Sequence, residues 1–227
     1  MSSLFFIKKG GEFLMEQENS FINREIAVVR TQKKLIAFSD KLSMCKRDNY
    51  AKIHAESKEG VSSFPSRIGV LIQDYSKGTG EKNNILEANL SPGAIAYIKN
   101  QLIEKLSMRN IDYEWKQQRI HEMKIDRNGF APVQTLCIKR QCLTKNGEPQ
   151  RNPWIISIEN GVARPEKTST GGTKINGNSY RKTNFAFIML SEEDMFKLFW
   201  KVERYIQLWE LAFAIPVIKE AKRAMAN

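Results

Sequence analysis

Residues 67–75 read RIGVLIQDY, residues 85–90 read ILEANL, and Ser91-Pro92 follows at once. The apolar run Val70, Leu71, Ile72 inside the first stretch predicts a strand, and Ile85 to Leu90 predicts a second, shorter one. Between them, SKGTGEKNN (76–84) is a loop by composition. Ser91 can cap a helix, and Pro92 suits its first position, where the missing N–H would have no partner anyway. Ile95, Ile98, Leu102 and Leu106 then recur at helical spacing, supported by Ala94, Tyr97 and Ile103.

The same order returns downstream. Pro153 to Glu159 (PWIISIE) predicts a strand, Gly161 to Arg181 is rich in Gly, Ser, Thr, Asn and Lys, and Asn184 to Leu190 (NFAFIML) predicts the next strand. Ser191 caps a helix whose first turn carries Glu192, Glu193 and Asp194, where the helix dipole favours acids. Its apolar positions include Met195, Leu198, Phe199, Val202, Ile206 and Trp209, with Phe199, Trp200 and Trp209 expected in the core and Pro216 expected to kink or break the helix. IGVLIQDY (68–75) and WIISIENG (154–161) are offset by 86, and the capping serines by 100. A longer loop in the second copy accounts for the difference, and self-similarity at this scale predicts a duplicated unit.

The expected fold is therefore α+β: a tandem repeat of an antiparallel sheet followed by a long helix, two sheets packed around two helices. Residues 1–24 are read as an N-terminal arm, 25–213 as one pseudo-twofold domain and 214–227 as a helical tail. Within the domain, copy one spans 25–110, a helical linker 111–129 and copy two 130–213. Ile111, Trp115 and Gln118 suggest the linker helix. In copy one, Ile26 to Ala37 is β-prone, and the alternation of Tyr50, Lys52 and His54 with Ala51, Ile53 and Ala55 suggests a half-exposed strand. In copy two, Val133 to Leu143 alternates weakly and Asn146-Gly147 signals a tight turn. Gly161 to Arg181 is read as a long basic hairpin loop, or as two edge strands around Asn176-Gly177.

A chain of 227 residues with 41% apolar and 27% charged residues can bury a core without metals or disulfides. No run of about 18 uncharged apolar residues exists, so no membrane partner is expected. No targeting segment is read, and three cysteines, Cys45, Cys137 and Cys142, fit a reducing, cytoplasmic setting. Two of them with a distant His121 do not make a zinc site. There is no GxGxxG after a strand and no phosphate-binding GxxxxGK[ST]; TGGTK (170–174) lacks the strand before it. His54 and His121 are the only histidines, and Asp74 and Glu159 are explained by strand ends. No enzyme, cofactor or metal is expected.

Charge is the distinctive feature. The net charge is +11, and between Ala131 and Leu190 nine basic residues face three acidic ones. Charge thus tracks the predicted strands and hairpins, a surface suited to phosphates. Single-strand binding adds aromatic platforms, with Tyr50, Phe64, Tyr75, Trp154 and Tyr180 as candidates, Trp154 being better explained as core. The candidate nucleic-acid contacts are Lys139, Arg140, Lys145, Arg151, Arg164, Lys167, Lys174, Tyr180, Arg181 and Lys182, with Lys46, Arg47, Tyr50 and Lys52 in the first half. The function expected is sequence-independent binding of single-stranded DNA or RNA, in transcription, replication or repair. Self-association into a homo-oligomer is compatible with it. Alternatives are a structural protein with a basic surface for an acidic protein partner, or a duplex-DNA binder, though the helix after Ser91 carries few of the cations a recognition helix needs.

RIGVLIQDY…ILEANLSPGAIAYIKNQL and NPWIISIEN…NFAFIMLSEEDMFKLFWKVERYI together resemble the strands-then-helix units of the Whirly family and of mitochondrial guide-RNA-binding proteins. The positive-cofactor-4 type of single-strand-binding factor resembles one such half. The likeness covers roughly residues 25–213 and is one of plan. The Lys-Gly-Lys-Ala run of Whirly proteins is absent here. The resemblance implies sheets packed on crossed helices, with a single strand lying across the sheets.

Overall fold

The computed structural model describes residues 23–56, 64–78, 83–108 and 111–226. All but the last two residues of the expected N-terminal arm lie outside them, as does the middle of the 76–84 loop. Among the described residues four strands come first: β1 (Glu25–Arg30), β2 (Lys34–Lys41), β3 (Arg67–Asp74) and β4 (Asn84–Leu90). They pair antiparallel in the order β1-β2-β3-β4 and are followed by α1 (Pro92–Ser107). The second sheet holds β5 (Tyr113–Ile120), β6 (Ala131–Arg140) and β7 (Trp154–Ala163), and after an inserted hairpin, β8 (Pro165–Lys167) and β9 (Thr173–Ile175), it is completed by β10 (Arg181–Leu190). Its order is β10-β7-β6-β5, and α2 (Glu192–Met225) closes the chain. The described residues are thus α+β, with antiparallel sheets and two α-helices, the C-terminal one long.

Both serine caps form as the sequence suggests. The Ser91 hydroxyl accepts from the Ala94 N–H, and the Ser191 hydroxyl accepts from the Asp194 N–H. Cross-strand rows set which residues face inward. In the first sheet Phe38, Val70 and Ala88 share a row, as do Ile36, Ile72 and Leu86. In the second, Trp115, Ile138, Ile156 and Ile188 share one. These inner faces and the stripes Ile95, Ile98, Leu102 on α1 and Met195, Leu198, Phe199, Val202, Ile206 on α2 merge into one buried cluster. Each fully buried aliphatic or aromatic side chain there contributes roughly 1.5–3 kcal/mol. Phe38 meets Phe199 edge-on, and Lys99 of α1 bridges to Glu203 of α2 at 3.0 Å.

Several expectations need correction. Residues 113–120 are strand β5, not a helical linker, so the second sheet begins before residue 130. Its inward row runs Tyr113, Trp115, Gln117, Arg119, and the last two are polar because they meet β4 rather than the core. The apolar alternation that marks a strand is therefore missing, and pairing with β6 decides the matter. Residues 47–52 form a short 3-10 turn, not a strand; only His54 makes an isolated bridge, to Met44. His54 stacks on Trp209 of α2 and bonds Glu210 at 3.0 Å, a tertiary anchor the local alternation does not reveal. The inserted hairpin turns at residues 168–172, with Gly171 at φ +83°, whereas Asn176 caps a 3-10 turn at Gly177–Ser179. Pro216 does not break α2, which runs through it with one intrahelical bond fewer. Trp200 is 50% exposed rather than core.

Candidate nucleic-acid interface

The basic residues singled out from the sequence do not form one surface. Arg140 is buried: Nε and Nη2 donate to Glu192 at 2.9 and 2.7 Å, and Nη1 donates to the Met108 and Ile111 carbonyls. It ties β6 to α2 and to the end of α1, and no phosphate can reach it. Lys167 pairs with Glu122, Lys174 with Glu166 and Lys182 with Glu159, so each enters with its charge already met. Lys145 and Arg151 are exposed on the β6–β7 connection, beside the end of the sheet that holds Trp154, while Lys139 is half-buried on the outward face of β6. Lys46, Tyr50 and Lys52 belong to the 3-10 region that packs against α2, and the Arg47 side chain lies outside what is described. Among the aromatics, Trp154 is fully buried, and Tyr75 is tied through its hydroxyl to the Thr31 carbonyl.

Arg164 and Arg181 are placed differently. Both are exposed, neither has an ion-pair partner among the described residues, and both guanidiniums lie over the Phe130 ring, at 5.1 and 4.9 Å from its centre. Strand alternation explains why they meet. Pro132, Val162 and Arg181 share one cross-strand row of the second sheet, and Phe130 and Arg164 extend the same face one step further out.

This face is the inward one, yet its far end is open. β4 crosses the second sheet from β10 to β5: Asn84 donates to the Phe185 carbonyl at 2.8 Å, Gln134 to the Glu87 carbonyl at 2.8 Å, and Gln117 to the Asn89 carbonyl at 3.1 Å. Rows on one side of β4 are core. The polar row Arg119, Gln134, Asn160, Asn184 sits at β4 itself, and the Phe130 group lies beyond it. A shallow groove of about 290 Å³, lined by His121, Lys124, Pro132, Gln134, Asn160 and Thr183, follows this open end.

The opposite, outward face is roofed by the hairpin. Tyr180 lies on Gly161, where a Cβ would come within 2.6 Å of the ring, and its hydroxyl donates to Glu159 at 2.6 Å. Burial and that bond push the Tyr180 phenol up to about 12. Burial would raise the Glu159 carboxyl, but the Lys182 and Tyr180 bonds outweigh it and hold the group below its ordinary value. Tyr180 is thus engaged in holding the hairpin down. The cleft beneath, about 440 Å³, is lined by Glu114, Lys116, Cys137, Glu159, Tyr180 and Phe185. At its rim Phe185 stacks on Phe187, with Lys182 over Phe185 and Lys34 over Phe187.

Sequence reading missed Phe130, Phe185, Phe187, Lys34 and Arg119. Phe130 precedes a strand and carries no local signal; only register places it under two arginines that are 34 and 51 positions away. Among the described residues no three acidic, histidine or cysteine side chains gather as a metal site. Burial raises the thiols of Cys137 and Cys142, which therefore stay protonated near neutrality. No described helix is long and apolar enough to cross a membrane. Compared with known proteins, the chain matches no family model, no curated protein and no solved structure.

Proposed function

We propose that this protein binds single-stranded DNA or RNA without sequence preference, along the open end of the second sheet. The observation that carries the reading is Phe130 with the Arg164 and Arg181 guanidiniums over its ring. A flat ring beside unpaired guanidiniums suits a base on the ring and phosphates on the cations. The side-chain N–H groups of Asn160 and Asn184, whose amide oxygens already accept from Gln134 and the Phe185 N–H, supply neutral donors on the same face, which can meet sugar and base edges without selecting among them. The order of four sheet strands then a helix, met twice, supports descent from a duplicated unit on the Whirly plan, whose members bind single strands across their sheets.

The test is a polarisation titration with a labelled unstructured 20-mer at several salt concentrations. Micromolar or tighter binding is expected, weakening as salt rises. Arg164→Glu with Arg181→Glu should abolish most of it, and Phe130→Ala should weaken it about tenfold, the lower range for one lost stacking platform. Absence of binding at low salt removes the proposal. Equal binding by the charge-reversed variant places the interface elsewhere.

A further inference from the structure

The two edges of the second sheet differ. Along β10, the Phe185 and Phe187 carbonyls accept from Asn84 and Lys34 of the first sheet, at 2.8 Å each. Along β5, no other described strand pairs on the far side. His121 donates its N–H to the Pro132 carbonyl, one step beyond the Ile120–Val133 pair. Hydrogen-bonded and non-bonded pairs alternate along an antiparallel ladder. The odd-numbered residues of β5 therefore bond β6, and the backbone N–H and C=O groups of Glu114, Lys116 and Gln118 point off the edge of the sheet. Such a row of unmet donors and acceptors is a template for another strand.

The side chains on this edge say which strand fits. Glu114 and Lys116 are both exposed on the outward face, and neither is ion-paired among the described residues. Charges on an edge ordinarily keep other strands away. Here opposite charges stand two residues apart, so the strand complements an antiparallel copy of itself. With a twofold axis at Trp115, Glu114 lies opposite the partner's Lys116, and Lys116 opposite the partner's Glu114. These are the residues whose backbone groups point off the edge, so each pair exchanges both of its N–H···O bonds. On the inward face the two Trp115 side chains meet across the axis in a non-bonded pair, at the short end of the about 4.5–5.5 Å Cβ spacing of strand neighbours. Trp115 is only partly buried within one chain, so the pairing gives it further cover. Moving the axis to Lys116 sets ammonium against ammonium, and moving it to Glu114 sets carboxylate against carboxylate. Like charges directly opposite each other weaken pairing, so charge selects the Trp115 register.

We propose that β5 is a self-complementary dimerisation edge, through which two copies of this chain join their four-stranded second sheets into one continuous sheet. The partner is a second copy because the match of Glu114 with Lys116 is made by the sequence of β5 itself, twice over. The inference does not depend on the single-strand reading. In the dimer both inward faces lie on one side of the joined sheet, and the ends that carry Phe130 point in opposite directions along the strands.

Sedimentation velocity of the full chain, free of nucleic acid, tests it. The wild type should pass from the mass of one chain to that of two as its concentration rises through the micromolar range, as expected of a small interface. Lys116→Glu sets carboxylate against carboxylate at both matched positions, and Glu114→Lys sets ammonium against ammonium. Each variant alone should associate about tenfold more weakly or worse. Mixing the two variants in equal amounts should restore the dimer, because each strand then meets one of opposite charge. The double variant, Glu114→Lys with Lys116→Glu, should restore it too, since the signs are merely exchanged. Both side chains are exposed, and an unchanged circular dichroism spectrum and melting midpoint show that each variant keeps the fold. A wild type that stays monomeric throughout overturns the proposal. Self-association that neither single reversal weakens also overturns it, by placing the interface elsewhere. So does failure of the mixture or of the double variant to recover the dimer, since both depend on the Trp115 register.

Discussion

Replacing Arg140 with Met should destabilise the protein severely while leaving its nucleic-acid surface untouched. The Arg140 side chain is 8% exposed and makes two bonds to Glu192 and two to the carbonyls of Met108 and Ile111. Methionine fills most of the space but offers no donor, so both carbonyls and one carboxylate oxygen lose their partner. Breaking a buried ion pair by removing one member costs about 3–5 kcal/mol, out of a total stability of roughly 5–15 kcal/mol. For a chain of this size each kcal/mol lowers the melting midpoint by about 2–4 °C, so a drop of roughly 6–20 °C is expected. Trp154 Nε1 also donates to Glu192, so indole fluorescence follows the same locus directly. Urea unfolding by fluorescence and circular dichroism measures the loss. Adding Glu192→Gln to Arg140→Met should restore part of it, since an unpaired charge is replaced by a neutral amide that still accepts from Trp154. A loss under about 1 kcal/mol, or a double variant less stable than the single one, would refute the view of Arg140 as a structural tie. Oligonucleotide affinity well below the melting range should stay within twofold of wild type.

Two further outcomes follow from the geometry. Tyr113, Tyr180 and Tyr205 each have a phenol pushed up to about 12, by burial first and, for Tyr180 and Tyr205, by bonds to Glu159 and Asp40. A group raised on folding stabilises fully below its unfolded value near 10 and loses that contribution as pH rises through the folded value. Stability should therefore fall between about pH 10 and 12, and Tyr205→Phe should remove one late-titrating phenol from the ultraviolet titration; no phenol titrating late would contradict this. Gly161→Ala places a methyl 2.6 Å from the Tyr180 ring and 2.7 Å from the Arg181 carbonyl. It should cost about 1–3 kcal/mol by overpacking and raise hydrogen exchange in residues 164–180, whereas unchanged protection there would show that the roof does not depend on this contact.

Much of the architecture was readable because local signals agreed with one another. The runs at 68–72 and 154–158, the serine caps and the helical stripes all act over a few residues, and each formed where periodicity put it. β5 escaped because half its inward row faces a polar strand edge instead of oil. The 3-10 region at 47–52 escaped because His54 finds Trp209 and Glu210 over 150 positions away. Charge misled for a similar reason. Arg140 and Lys182 are ordinary cations in a list of residues, and only their neighbours in space, Glu192 and Glu159, show them already engaged.

What the chain encodes locally is the succession of strands and capped helices, and a positive balance attractive to phosphate. Which cations remain unmatched, and that Arg164 and Arg181 share one phenyl ring, emerges only when the second sheet pairs. Pairing register and interstrand hydrogen bonds join residues far apart along the backbone, and no short-range pattern carries that information.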